Sequence, residues 1–130
     1  MLCRVNAIRA KHGKKALKMD DKLNRAARRH SQDQLDHKKM THEGTKVKSF
    51  WDRIKNEGYK LMGGSENCAA GQGSIAQVVS DWEQSSGHFR NIVSDAECMG
   101  WGEAGNYWTQ EFAKGTPCTY QTVPDCSKYH

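Results

Sequence analysis

The chain has 130 residues, 36% of them hydrophobic, and 20 Lys and Arg outweigh 15 Asp and Glu to give a net charge of +5. That length makes one domain able to bury about two thirds of its unfolded surface, and no stretch approaches the ~18 apolar residues of a membrane span or the apolar run of a secretory leader. The charge is uneven: residues 1–60 carry 17 Lys and Arg against 7 Asp and Glu, and residues 61–130 carry 3 against 8. The basic half either offers a surface to nucleic acid, anionic lipid or acidic glycan, or solvates the outer faces of amphipathic helices.

Leu2, Val5, Ile8 and Arg9 recur at helical spacing, with Gly13 as the stop. Asp20 or Asp21 caps a second helix that presents Leu23, Ala26, Ala27, His30 and Gln34 on one face. Ser49 caps a short third helix through Trp51 and Ile54, ended by Gly58, and Gly63-Gly64 breaks the pattern. SENCAAG, residues 65–71, reads as a strand. Residues 74–85 form the clearest helix: Ser74 and Gln77 make a capping box, and Ile75, Val78, Val79 and Trp82 fall at i, i+3, i+4 and i+7. SSGHFRNI, residues 85–92, reads as a turn that fixes His88 between Gly87 and an apolar Phe89. CMGWGEAG and NYWTQEFAKG, joined through Gly105-Asn106, read as a β-hairpin. On its second arm Tyr107, Thr109, Glu111 and Ala113 share one face, while Trp108, Gln110 and Phe112 share the other. Trp51, Trp82, Trp101 and Trp108 read as core and sheet-face residues. The fold class is α+β, with helices covering a small antiparallel sheet.

The five cysteines, Cys3, Cys68, Cys98, Cys118 and Cys126, lack the C-x-x-C spacing of zinc and thioredoxin sites. Wide, irregular spacing fits disulfides formed in an oxidising compartment, with free cytosolic thiols as the alternative. The expected pairs are Cys68 with Cys98, both flanking strands, and Cys3 with Cys118, which leaves Cys126 spare. No nucleophile elbow or H-E-x-x-H helix is present, for position 46 is Lys after His42-Glu43. Gly71-Gln72-Gly73 is a turn before the capped helix.

NAIRAKHG, then ALKMDDKLNRAARRHSQDQ, MTHEG, SFWDRIKNEGY, SENCAAGQ, VVSDWEQSSGHFRNI and MGWGEAGNYWTQEFA stand in register over residues 2–114. In this order they resemble the CAP superfamily (cysteine-rich secretory proteins, antigen 5 and pathogenesis-related class 1 proteins), in its compact SCP-like form. The resemblance implies an α-β-α sandwich over residues 1–115, followed by a Cys-containing extension, 116–130. It implies a secreted, extracellular protein whose leader is absent from this sequence, and a cleft of two histidines and two glutamates. His42 in MTHEG and His88 in SGHF match the histidines, and Glu66 in SENCAAG matches the first glutamate. The second glutamate's position holds Ser85, and the nearest carboxylate, Glu83, points elsewhere on the helix. His12, His30, His37 and His130 match no motif and read as surface or packing residues.

Two neutral imidazoles suit a weakly bound divalent metal, Zn²⁺, at His42 and His88, with Glu66 orienting one ring. The expected function is a binding module without turnover. The resemblance implies a lipid or sterol ligand, or an extracellular or cell-surface partner. Phe50, Trp51, Tyr59, Leu61 and Met62 cluster as the groove for an apolar ligand. The alternatives are a metal-dependent hydrolase at His42, Glu66 and His88, and a cationic binder of anionic surfaces that makes peripheral membrane contact. Nucleic acid is disfavoured, because no aromatics interleave with the basic residues.

Overall fold

The computed structural model describes residues 1–126, so the reading of His130 and the last four residues of the extension lie outside the described residues. The elements in order are α1 (Leu2–Lys11), β1 (Lys18–Met19), α2 (Asp21–His37), α3 (Phe50–Asn56), β2 (Leu61–Ala70), α4 (Ile75–Gln84), α5 (Ser86–Ile92), β3 (Cys98–Ala104) and β4 (Tyr107–Gly115). The sheet runs β1-β3-β4-β2. Its β3–β4 and β4–β2 pairs are antiparallel, while the two-residue β1 adds a parallel rung against β3. That rung makes the sheet mixed, and two residues were too few to show a period.

The alternation along β4 builds the sandwich. Thr109 faces α2, where its hydroxyl meets Ser31 and Gln34. Gln110 faces the opposite way, toward Met1, Met99 and Asn67. On the first side Leu23 and Ala26 of α2, Ile54 of α3 and Tyr59 pack with Cys98 and Ala113. On the second side Val5 and Ile8 of α1, Val78 and Trp82 of α4 and Ile92 of α5 pack with Met99, Trp108 and Phe112. Arg9 shares the buried side of α1 at 2% exposure, and its guanidinium donates to the carbonyls of Lys15, Ile92 and Ser94. Helix α2 lies almost on the backbone of β3: a Cβ at Gly100 would come within 2.3 Å of the Leu23 carbonyl carbon.

The capping expectations hold. Asp20 accepts from the amides of Lys22 and Leu23, Ser49 from Asp52, and Ser74 from Gln77. The Gln77 side chain returns to the Gly73 amide. The hairpin turn needs positive φ at both central residues, and Gly105 (51°) and Asn106 (66°) provide it.

Three expectations fail. Residues 86–92 form helix α5, not a turn; seven residues are too short to show a helical period and the segment is held by tertiary hydrogen bonds. Strand β2 begins at Leu61 and absorbs Gly63-Gly64 through a register shift. The disulfides are Cys3–Cys126 and Cys98–Cys118, with Cα separations of 5.5 and 5.6 Å, and Cys68 is free. Cys68 cannot reach Cys98 because β4 lies between their strands. Two strand spacings are about 9.6 Å, beyond the Cα reach of a disulfide.

Candidate functional site

Strand β2 is an edge of the sheet. Glu66 stands on it opposite Glu111 of β4. Its side chain is 1% exposed and both oxygens are engaged. Oε1 lies 2.8 Å from His42 Nδ1, and Oε2 accepts from Arg53 Nη2 at 2.6 Å. Arg53 also donates through Nη1 to the carbonyls of His42, Val47 and Lys48. One guanidinium from α3 thus ties the loop carrying His42 to the carboxylate on the sheet. A carboxylate only accepts, so His42 Nδ1 carries the hydrogen and Nε2 keeps its lone pair. The His42 side chain is 57% exposed.

His88 enters from the other layer on α5. Asn67, fully buried on β2, donates to the His88 carbonyl at 3.2 Å, and Asn91 donates to Asn67 at 2.8 Å and to the Glu66 carbonyl at 3.2 Å. These bonds moor α5 to the edge strand. The ring's Nδ1 lies 2.9 Å from the Ser85 hydroxyl, so the residue three places after Trp82 does support this histidine, as a hydroxyl in place of a carboxylate. A hydroxyl both donates and accepts, which leaves the tautomer of His88 free where a carboxylate would fix it. Burial, with a contribution from the nearby charge of His42, lowers the His88 pKa. His88 therefore stays neutral at pH 7. Imidazoles with supported Nδ1 atoms are donors suited to a weakly held divalent ion. Zn²⁺ there would polarise a ligand oxygen, and this chain's part is to orient the rings through Glu66 and Ser85.

Glu83 is not part of this group. It is exposed and lines a surface hollow with Cys3, Arg4 and Lys11 of α1, because one residue after Trp82 is a rotation of about 100° around the helix.

Behind His42 lies a buried polar layer. Burial raises the Glu111 pKa, and the Glu66 charge beside it adds to this, so Glu111 is protonated. Burial opposes ionisation of Glu66 too, but the hydrogen bond from His42 and the Arg53 charge hold its pKa at about 2. The Cys68 thiol lies 3.5 Å from Glu66 Oε1 and 3.6 Å from His42 Nδ1; burial pushes its pKa upward and keeps it a thiol. His30, 1% exposed, places Nε2 2.6 Å from the Thr41 carbonyl, and burial lowers its pKa. His12 and His37 are exposed, as surface residues should be.

The expected groove is smaller than its five residues. Tyr59 is fully buried beneath α3, and Phe50 and Leu61 pack half-buried against the same cluster. Gly58, at φ 96°, turns the chain inward after α3 and takes Tyr59 with it. Trp51 (39%) and Met62 (80%) remain exposed, and Trp51 meets Phe50 edge-on. Arg53, Glu111, Asn67 and Asn91 were not anticipated. Arg53 had a signal: it shares the stripe of Phe50 and Ile54 at helical spacing, where a charge needs a buried partner.

Known proteins share the fold. The chain is 36% identical over 110 residues to YkwD of Bacillus subtilis, covering 82% of this chain and 43% of that protein. It is 31% identical over 110 residues to the membrane protein YlbC of the same organism, covering 84% and 32%. It thus spans less than half the length of either. An extracellular SCP-domain protein of Bacillus anthracis superposes with a TM-score of 0.82 at 25% identity, over 85% of this chain and 38% of that one. An outer surface protein of Borrelia burgdorferi shares the fold with a TM-score of 0.73 at 21% identity, over 85% and 86%. With its α-β-α layers, and with residues 2–112 matched by the model of the cysteine-rich secretory protein family, the chain belongs to the CAP family.

Proposed function

We propose that this domain works outside the cell as a binding module without turnover, taking a ligand of lipid or sterol type beside its histidine cleft. The observation that carries the reading is the exposed pair Trp51 and Met62. Met62 and Glu66 lie on one strand, and four residues of strand span about 13 Å, so an apolar ligand body on Met62 sets its polar end near His42. Glu66 supports binding over hydrolysis: it is buried and already committed to His42 and Arg53, which makes it a positioning residue out of a substrate's reach. The two disulfides and the extracellular SCP-domain relative support the location.

The test is binding of fluorescent sterol and fatty-acid probes to the wild type and to the Trp51→Ala/Met62→Ser double variant. Burying each side chain contributes about 1.5–3 kcal/mol, so the variant should bind at least ~10-fold more weakly while its melting curve stays cooperative. Unchanged affinity in a folded variant would remove the apolar surface from the reading.

A further inference from the structure

Beneath the cleft, one nitrogen, one carboxylate oxygen and one sulfur converge from two elements. Donor atoms of His30 on α2 and of Glu66 and Cys68 on β2 all lie within 4.8 Å of one another. Glu66 and Cys68 are two apart on a strand and so share the face that α2 covers. All three residues are buried, at 1%, 5% and 2% exposure.

His30 is set up as a ligand. Its Nε2 lies against the Thr41 carbonyl, which can only accept, so that nitrogen carries the hydrogen and Nδ1 bears a bare lone pair. Nδ1 is buried with no hydrogen-bond partner among the described residues. An unpaired buried acceptor is destabilising, and a cation would satisfy it. A backbone carbonyl holding the far N–H is the usual support of a metal-bound histidine.

We infer that His30, Glu66 and Cys68 form a buried site for a zinc-class divalent cation, beneath the His42/His88 pair and sharing Glu66 with it: Oε1 accepts from His42 on one lone pair and keeps the other for the cation. The spacing agrees. Tetrahedral Zn²⁺ with sulfur and oxygen at their usual bond lengths sets an S···O separation of about 3.5 Å, and Cys68 Sγ lies 3.5 Å from Glu66 Oε1. The mixed N/O/S donors select zinc over calcium or magnesium, which take oxygen alone. On loading, the S–H bond of Cys68 breaks, its proton leaves to solvent, and the thiolate binds the cation with no change of oxidation state. Three protein donors leave a fourth position open, the pattern of an exchangeable site. His30 also walls a cavity of about 430 Å³ with Asp33, Val47 and Arg53, an approach separate from the histidine cleft.

The test uses disulfide-intact protein titrated with Co²⁺ as a spectroscopic stand-in and then with Zn²⁺. The expected result is a thiolate-to-cobalt charge-transfer band that Zn²⁺ displaces. Cys68→Ala should abolish the band and weaken Zn²⁺ binding by at least ~10–100-fold, the loss seen even for outer supports of a metal ligand. His88→Ala, which touches only the surface pair, should leave the thiolate band intact. His30→Gln should act as Cys68→Ala does; where it fails to fold, the near-isosteric Cys68→Ser gives the same reading. No thiolate band in folded wild-type protein, a band that survives Cys68→Ala, or binding lost only in His88→Ala would each overturn the site.

Discussion

Arg53 holds the candidate site together. Its side chain is 8% exposed and its partner Glu66 is 1% exposed, so water cannot replace either one for the other. The geometry is favourable for a buried pair: the guanidinium meets one carboxylate oxygen and three carbonyls of the His42 loop. Removing one member of such a pair leaves a buried charge unpaired and costs about 3–5 kcal/mol. Arg53→Ala should therefore lose that much in urea unfolding at pH 7. Arg53→Lys should recover only part of it, since an ammonium cannot span the carboxylate and the loop carbonyls together. A loss below about 1 kcal/mol would mean that Glu66 finds solvent or a proton in the variant, and that the pair is less closed than its exposure indicates.

At the scale of elements, α3 ends at Asn56, and the chain then turns to bury Tyr59 with its hydroxyl 3.4 Å from Cys98 Sγ. Burial, reinforced by the charges of Asp20 and Glu97, raises the Tyr59 pKa to about 12. A group whose pKa is higher when folded contributes stability that is complete below its unfolded pKa of about 10, and this is lost as the pH rises through the folded value. Chemical unfolding between about pH 9 and pH 11.5 should show stability falling from pH 10 upward, and Tyr59→Phe should flatten that fall. An equal slope in both proteins would assign the alkaline loss to other groups. The same element shows what could be read in advance. Ser49 and Gly58 gave α3 its start and end through local chemistry, while of the two residues expected along it Ile54 is buried and Trp51 is exposed. Whether Tyr59 lined a groove or the core depended on where Gly58 sent the chain, which no local pattern encodes. His42, Glu66 and His88 were legible through motif order. Glu111, Asn67 and Arg53 act through partners distant in sequence, so their roles emerged only with the sheet register.

At the scale of the whole molecule, the two disulfides close very different loops. Cys98–Cys118 spans 20 residues and fastens the chain after β4 back to β3, while Cys3–Cys126 spans 123 and joins α1 to the end of the described chain. The hydrogen bonds of the final segment show what the long bridge restrains: Thr119 donates its amide and hydroxyl to Asp20, the cap of α2. In the chain-entropy account a loop of about 100 residues stabilises by nearly 5 kcal/mol, against roughly 3 for one of about 15. The Cys3→Ser/Cys126→Ser variant should thus lose ~2–5 kcal/mol, the range seen when native disulfides are removed, while its sheet and core remain. Thiol counting fixes the pairing at the same time. Native wild-type protein should react slowly with a thiol reagent, because Cys68 is buried and protonated. Denatured without reductant, it should release one thiol per chain, mapped to Cys68 by peptide mass. A released thiol at Cys126 in place of Cys68 would overturn the bridge assignment, since the long loop would then have to close through another cysteine.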